Sequence, residues 1–218
     1  MDKWEKKNAS DMILCQIECY YMLAQIYIDK LLGEKFEIGF QDDVRIEEEK
    51  EEEEEELTPE RKKEILQEKK QIIDYYLQGL KLAALIDQTW LIFNGAIYVW
   101  NNYLVYFRNP TNDTKLLPEI TVLLKEFFET MKNAMSNLEK KDISDYDIGT
   151  KKEIYANIGL IYARLMEVQG KFTEVMDICT SLLLTPLSPH TRKLINSIKA
   201  RASGKGTLDI FIRLLKNS

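Results

Sequence analysis

Residues 155–186 read YANIGLIYARLMEVQGKFTEVMDICTSLLLTP, and the architecture of the chain can be worked out from them. Tyr155, Ile158 and Tyr162 recur at three- and four-residue steps, the spacing that puts side chains on one face of an α-helix. Gly170 supplies a stop for that helix. Apolar residues resume at Phe172, with Val175 and Cys179 four apart, until Pro186 ends the second run. Two helices joined by so short a connection are antiparallel neighbours. The small Gly159 lets the partner helix approach, and the aromatic pair fills the interior of the hairpin.

Working outward, Thr58-Pro59-Glu60 opens another helix. Thr caps it, Pro takes the first helical position where its missing N–H costs nothing, and Glu lies at the positive end. Ile65, Ile72, Ile73, Tyr76, Leu80 and Ala83 trace its core face as far as about Ile86. From about Gln88 to Arg108 the chain is apolar nearly all round, as in a helix sandwiched on more than one side. Trp90, Phe93, Ile97, Trp100, Leu104 and Phe107 make its predicted stripe. Residues 109–113, NPTND, are loop chemistry. A helix over about 118–141 carries Ile120, Leu124, Phe127 or Phe128, Met131, Met135 and Leu138. Another spans about 150–168. Ser188-Pro189 restarts a helix through about Ala202, which Ser203-Gly204-Lys205-Gly206 breaks ahead of a last short one over 208–215. At the front, a helix from about Asp11 to Leu32, capped by Ser10 or Asp11, aligns Ile13, Ile17, Tyr20, Ala24 and Tyr27.

No stretch has the alternation of a strand, and 9 Gly with 5 Pro in 218 residues disfavours a turn-rich β architecture. The expected fold is therefore all-α, built of antiparallel helical hairpins. Its divisions are an N-terminal helix and loop over 1–46, an acidic linker over 47–57, and a helical domain over 58–218. Within the linker, Glu47 to Glu56 holds nine Glu and one Lys, whose like charges repel at i,i+4.

The net charge of −6 is unevenly spread: residues 150–218 hold 11 Lys and Arg against 5 Asp and Glu, residues 1–149 hold 19 against 31. So acidic a chain is poorly suited to phosphate backbones, and nucleic acid is not an expected partner. The most apolar stretch, Thr89 to Phe107, is interrupted by Asn94, Asn101 and Asn102, short of the ~18 unbroken apolar residues of a membrane span. Three Cys and a charged N-terminus without an apolar signal core point to a reducing, cytoplasmic setting.

Catalytic chemistry finds no foothold. Cys15 and Cys19 share a helical face at i,i+4, but zinc needs two further ligands and the one His, His190, is remote; both read as small buried residues. His190 itself reads as a first-turn surface residue. Gly204-Lys205-Gly206-Thr207 lacks the earlier Gly of a phosphate loop, and no strand precedes it. No metal, cofactor or catalytic residue is expected.

The segment from Tyr155 resembles a tetratricopeptide repeat, in which an aromatic, a Leu-Gly and a Tyr precede an Ala-x3-Phe pair and a closing Pro. Tyr155, Ile158, Gly159 and Tyr162 take the first positions, Val175 and Cys179 the pair, and Pro186 the end, with one extra helical turn before Gly170. A weaker unit starts 65 residues earlier at Trp90, with Phe93, Ile97 and Asn94 in place of Gly. That separation is about twice the ~34-residue period, as for repeats with lengthened helices and loops. The resemblance implies a short, degenerate tetratricopeptide-like solenoid.

The run from Trp90 to Asn102, W-L-x-x-N-x-A-x-Y-x-W-N, is similar to large tetratricopeptide proteins of the ciliary axoneme. It implies a structural scaffold in the axoneme central apparatus. The implied partners are large axonemal subunits and microtubules, and the implied location is the cytoskeleton of the cilium or flagellum. In tetratricopeptide arrays the first helix of each pair lines a groove. Asn94, Asn101 and Asn157 are then candidates to bond an extended peptide backbone with donor and acceptor together. Arg192, Lys193, Lys199 and Arg201 are candidates for an acidic surface such as the tubulin tails, on the polar side of the helix that buries Leu194, Ile195 and Ile198. The other expectation from the same residues is a soluble adaptor that binds a peptide segment of one partner.

Overall fold

A computed structural model describes residues 3–34, 36, 58–108, 115–138 and 145–216. It contains seven α-helices and, among the described residues, no β-strand: α1 (Lys3–Gly33), α2 (Pro59–Leu85), α3 (Thr89–Arg108), α4 (Leu117–Leu138), α5 (Asp145–Val168), α6 (Phe172–Leu183) and α7 (Pro189–Lys216). The all-α expectation is met. The acidic run 47–56 and the 109–113 loop lie outside the described residues.

Local chemistry places the boundaries. Thr58 caps α2 by accepting from the Arg61 N–H at 3.2 Å, with Pro59 first in the helix. Gly170, at φ +73°, turns the chain between α5 and α6 in the left-handed region that glycine tolerates. Two boundaries differ from expectation. α1 begins near Lys3, so Ser10 and Asp11 lie inside it and cap nothing. α7 runs unbroken through Ser203–Gly206. Each interior Gly costs a helix about 1 kcal/mol. Packing outweighs that here, since Ala202 is buried and Gly206 stands against the Phe172 side chain.

One continuous core joins the helices, α1 included. Among the described residues, each helix packs only against helices one or two places away in the chain. The odd-numbered helices α1, α3, α5 and α7 are successive neighbours, and each of α2, α4 and α6 packs on the two odd helices that flank it. α5 is the most enclosed, with Tyr155, Ala156, Ile158, Leu160, Ile161, Ala163, Leu165 and Met166 all buried. Its Gly159 admits Phe128 of α4 and Leu182 of α6: a Cβ there would lie 2.8 Å from the Phe128 ring and 2.9 Å from Leu182. Phe128 stacks on Tyr155 at 4.9 Å.

The six positions expected to form the core face of α2 are all buried, as are Ile120, Leu124, Phe127, Phe128, Met131 and Met135 of α4. On α1 the stripe is turned slightly: Ile17 and Ala24 are buried, joined by Tyr21, Ile28 and Leu31, while Ile13, Tyr20 and Tyr27 sit at its margin. α3 requires a larger correction. Its buried side is Leu91, Ile92, Ala96, Val99, Tyr103 and Tyr106. Of the expected stripe only Phe93 is fully buried, and Trp90 and Ile97 are 46 % and 40 % exposed. The reason is steric. Gly95 and Ala96 let neighbouring helices close in, and the ring of Tyr21 fills the space beside Gly95.

Candidate functional site

The exposed side of the odd-numbered helices carries most of the residues singled out from sequence. On α3, Trp90, Asn94, Ile97 and Asn101 are exposed at steps of four, three and four, and Arg108 follows seven residues after Asn101. Asn94 lines a groove of about 210 Å³ between α1 and α3, with Glu18, Tyr21, Met22, Trp90 and Tyr98. Asn101 is exposed on the same stripe beyond it. Asn157, on α5, is half-buried and stands two turns before Arg164. Asn102, also on α3, donates to the Tyr76 hydroxyl at 2.9 Å and belongs to the packing with α2.

Arg108 and Arg164 lead into a larger cleft of about 520 Å³ where α3, α5 and α7 meet, lined also by Phe107, Glu167, Ser197, Arg201 and Lys205. Glu167 lies at its base with its side chain 2 % exposed. Arg201 grips both carboxylate oxygens, Nε to Oε1 at 3.0 Å and Nη2 to Oε2 at 3.2 Å. Arg164 bonds Oε2 from the same helix, and the Lys205 ammonium stands 3.6 Å from Oε1. Burial pushes the Glu167 carboxyl up, but the hydrogen bonds from Arg201 and Arg164 outweigh it and hold the group below the usual carboxylate range. Arg108 has no ion-pair partner among the described residues. Four cations around one carboxylate leave the cleft strongly positive, which suits it to carboxylates or other anions.

The cleft is braced from the far end of α5. Glu153 accepts from the Ser188 backbone N–H and from the Thr191 hydroxyl, both at 2.6 Å, while Ser188 Oγ accepts from the Thr191 N–H at 3.3 Å. These bonds satisfy the first turn of α7 and place a negative charge at its positive end.

The four α7 cations do not share one side, as their spacing had suggested. Arg192 reaches the Leu183 carbonyl and Lys199 the Thr180 hydroxyl, both on α6. Arg201 points the other way, to α5, and Lys193 is exposed between them. Only Arg201 of the four belongs to the cleft. Cys15 and Cys19, expected to be buried, are exposed, because α1 packs on α2 through its opposite side; Cys179 is buried. His190 is exposed in the first turn of α7, as expected.

Sequence reasoning missed Arg108, Arg164, Glu167 and Lys205. One signal could have found the first two: each follows a singled-out Asn by seven residues, on the same side of its helix. No group of three or more His, Cys, Asp or Glu that could hold a metal ion occurs among the described residues. None of their helices is long and apolar enough to cross a membrane. Comparison with protein-family models, with curated proteins and with solved structures returned no match.

Proposed function

We propose that the chain is a non-catalytic scaffold of the tetratricopeptide kind, which holds other proteins against its odd-helix face and takes an acidic segment of a partner in the cleft at Arg108, Arg164, Arg201 and Lys205. The observation that carries this is the charge of that cleft, in which one buried carboxylate is outnumbered by four cations from three helices. The tetratricopeptide reading draws support from the connectivity. Helices that touch only their near neighbours in the chain are how stacked hairpins extend a core. The hairpin of α5 and α6 supports it as well, because Gly159 does the packing that the repeat asks of it.

The axonemal setting rests on the Trp90–Asn102 run, similar to that of large ciliary tetratricopeptide proteins. Among these the likeness is to cilia- and flagella-associated protein 46 of the central apparatus. On this reading the partners are large axonemal subunits and microtubules, whose acidic tails match the cleft in charge. The test is purification of the tagged chain from ciliated cells under conditions that preserve the axoneme. Recovery with axonemal repeat proteins, weakened by Arg108→Glu with Arg164→Glu, is expected. Recovery in the soluble fraction without them overturns the reading.

The position of Asn94 favours a second reading, a soluble adaptor for an extended peptide. An exposed amide beside Trp90 and Met22 in the α1–α3 groove can pair with a peptide backbone while the ring packs its side chains. A peptide array in which no binder depends on Asn94 would dismiss it.

A further inference from the structure

α1 carries two apolar stripes on opposite sides. Ile17, Tyr21, Ala24, Ile28 and Leu31 are buried in the core. Met12, Cys15, Cys19, Met22 and Ile26 face away and are exposed, Met12 at 72 % and Met22 at 64 %. The steps along this outer stripe are three, four, three and four, the a and d spacing of a coiled coil with Met12, Cys19 and Ile26 at a and Cys15 and Met22 at d. Asp29, at the next d position, ends it. A helix already buried along one side gains nothing in water from an apolar seam along the other.

We propose that this seam pairs with the same seam of a second copy, parallel and in register, as a short two-stranded coiled coil. No charge stands at an a or d position between Met12 and Ile26, so like-on-like pairing there buries no ion. The flanks admit the parallel direction without setting like charges together. In a parallel pair each g residue meets the e residue five places on in the other copy, which brings Glu18 to Leu23 and Gln25 to Lys30. The extent is sufficient. Trp90 and Tyr98 of α3 are exposed beside the seam and share the α1–α3 groove with Met22. With them and Leu23, the exposed apolar surface comes to roughly the 800 Å² that one partner gives to a standard interface.

The cysteines make the seam readable. The full chain, under reducing conditions, is expected by light scattering at twice its 25.6 kDa mass. The surface variant Met22→Glu/Ile26→Glu is expected at 25.6 kDa with its helical circular dichroism retained. Cys15→Ser and Cys19→Ser each leave one seam thiol, and both variants are expected to cross-link to a dimer with a short bismaleimide, since Cys179 is buried. Cross-linking through Cys19 alone overturns the parallel register. A well-folded wild-type chain at 25.6 kDa at every accessible concentration overturns the seam. So does a dimer that survives Met22→Glu/Ile26→Glu.

Discussion

The phenolic oxygen of Tyr21 lies 2.5 Å from the point where a Cβ on Gly95 would stand. The same ring presses on Gly79 of α2, so a single α1 side chain is gripped by glycines of two helices. Adding a methyl group at either point must displace the ring. Gly95→Ala is expected to cost about 1–3 kcal/mol in urea denaturation, as overpacking does. Gly204→Ala, whose Cβ would meet nothing within 4 Å inside α7, is expected to gain up to about 1 kcal/mol. Equal effects at the two glycines would refute the grip.

The Tyr21 hydroxyl is buried without a hydrogen-bond partner among the described residues, and burial raises its pKa well above the tyrosine value. Tyr21→Phe removes a polar atom that bonds nothing, so stability is expected to hold or to rise by about 1 kcal/mol. A clear loss of melting temperature would mean that the hydroxyl is paired after all.

Glu153 ties α5 to the start of α7 through two bonds. Glu153→Ala is expected to cost about 1.5–3 kcal/mol, the range for hydrogen bonds to a charged group. Ser188→Ala is expected to cost about 1 kcal/mol as a lost cap. The double variant should fall short of the sum, because both changes act on the same turn.

Glu167 and Glu119 are both held below the ordinary carboxylate pKa. For each, burial opposes the shift and is outweighed by hydrogen bonds, from Arg201 and Arg164 at Glu167 and mainly from Lys70 at Glu119. A group lowered in the folded state stabilises at pH values above its unfolded value, about 4.3 for Glu, and loses that contribution as the pH falls through the folded value. Stability should therefore drop on acidification below about pH 4.3. Glu167→Gln should make the drop shallower while lowering stability at neutral pH. Parallel wild-type and variant curves would exclude Glu167 as a source.

The Cys179 thiol is raised to about 11 by burial, with smaller opposing influences from Lys199 and Arg201. A thiol reagent at pH 8 is expected to leave it untouched in the folded protein and to reach it only in denaturant. Modification of three thiols without unfolding would contradict the packing of α6.

What could be read from the sequence depended on contrast. In α2 the charged residues leave a single apolar stripe, and Ile65 through Ala83 could be placed from spacing alone. α3 has little such contrast. Its phase is set by Gly95 and Ala96, which hydrophobic spacing underweights, and so spacing alone points Trp90 to the wrong side. The α7 break at Gly204 and Gly206 failed for a related reason, since local propensity yields to tertiary packing. The cleft was out of reach for another reason. Arg108, Arg164 and Lys205 come from three helices, and only the fold brings them to Glu167.

The central place of α5 sets the order in which the molecule opens. Among the described residues, α5 touches α3, α4, α6 and α7, whereas α1 touches only α2 and α3. Separating α1 breaks two interfaces, and exposing α5 breaks four. In the Met22→Glu/Ile26→Glu monomer, amide protons of α1 should therefore exchange with deuterium through local openings, while those near Ile158 to Met166 wait for global unfolding. The cationic cleft is anchored on that last-opening helix, so its shape endures as long as the protein is folded.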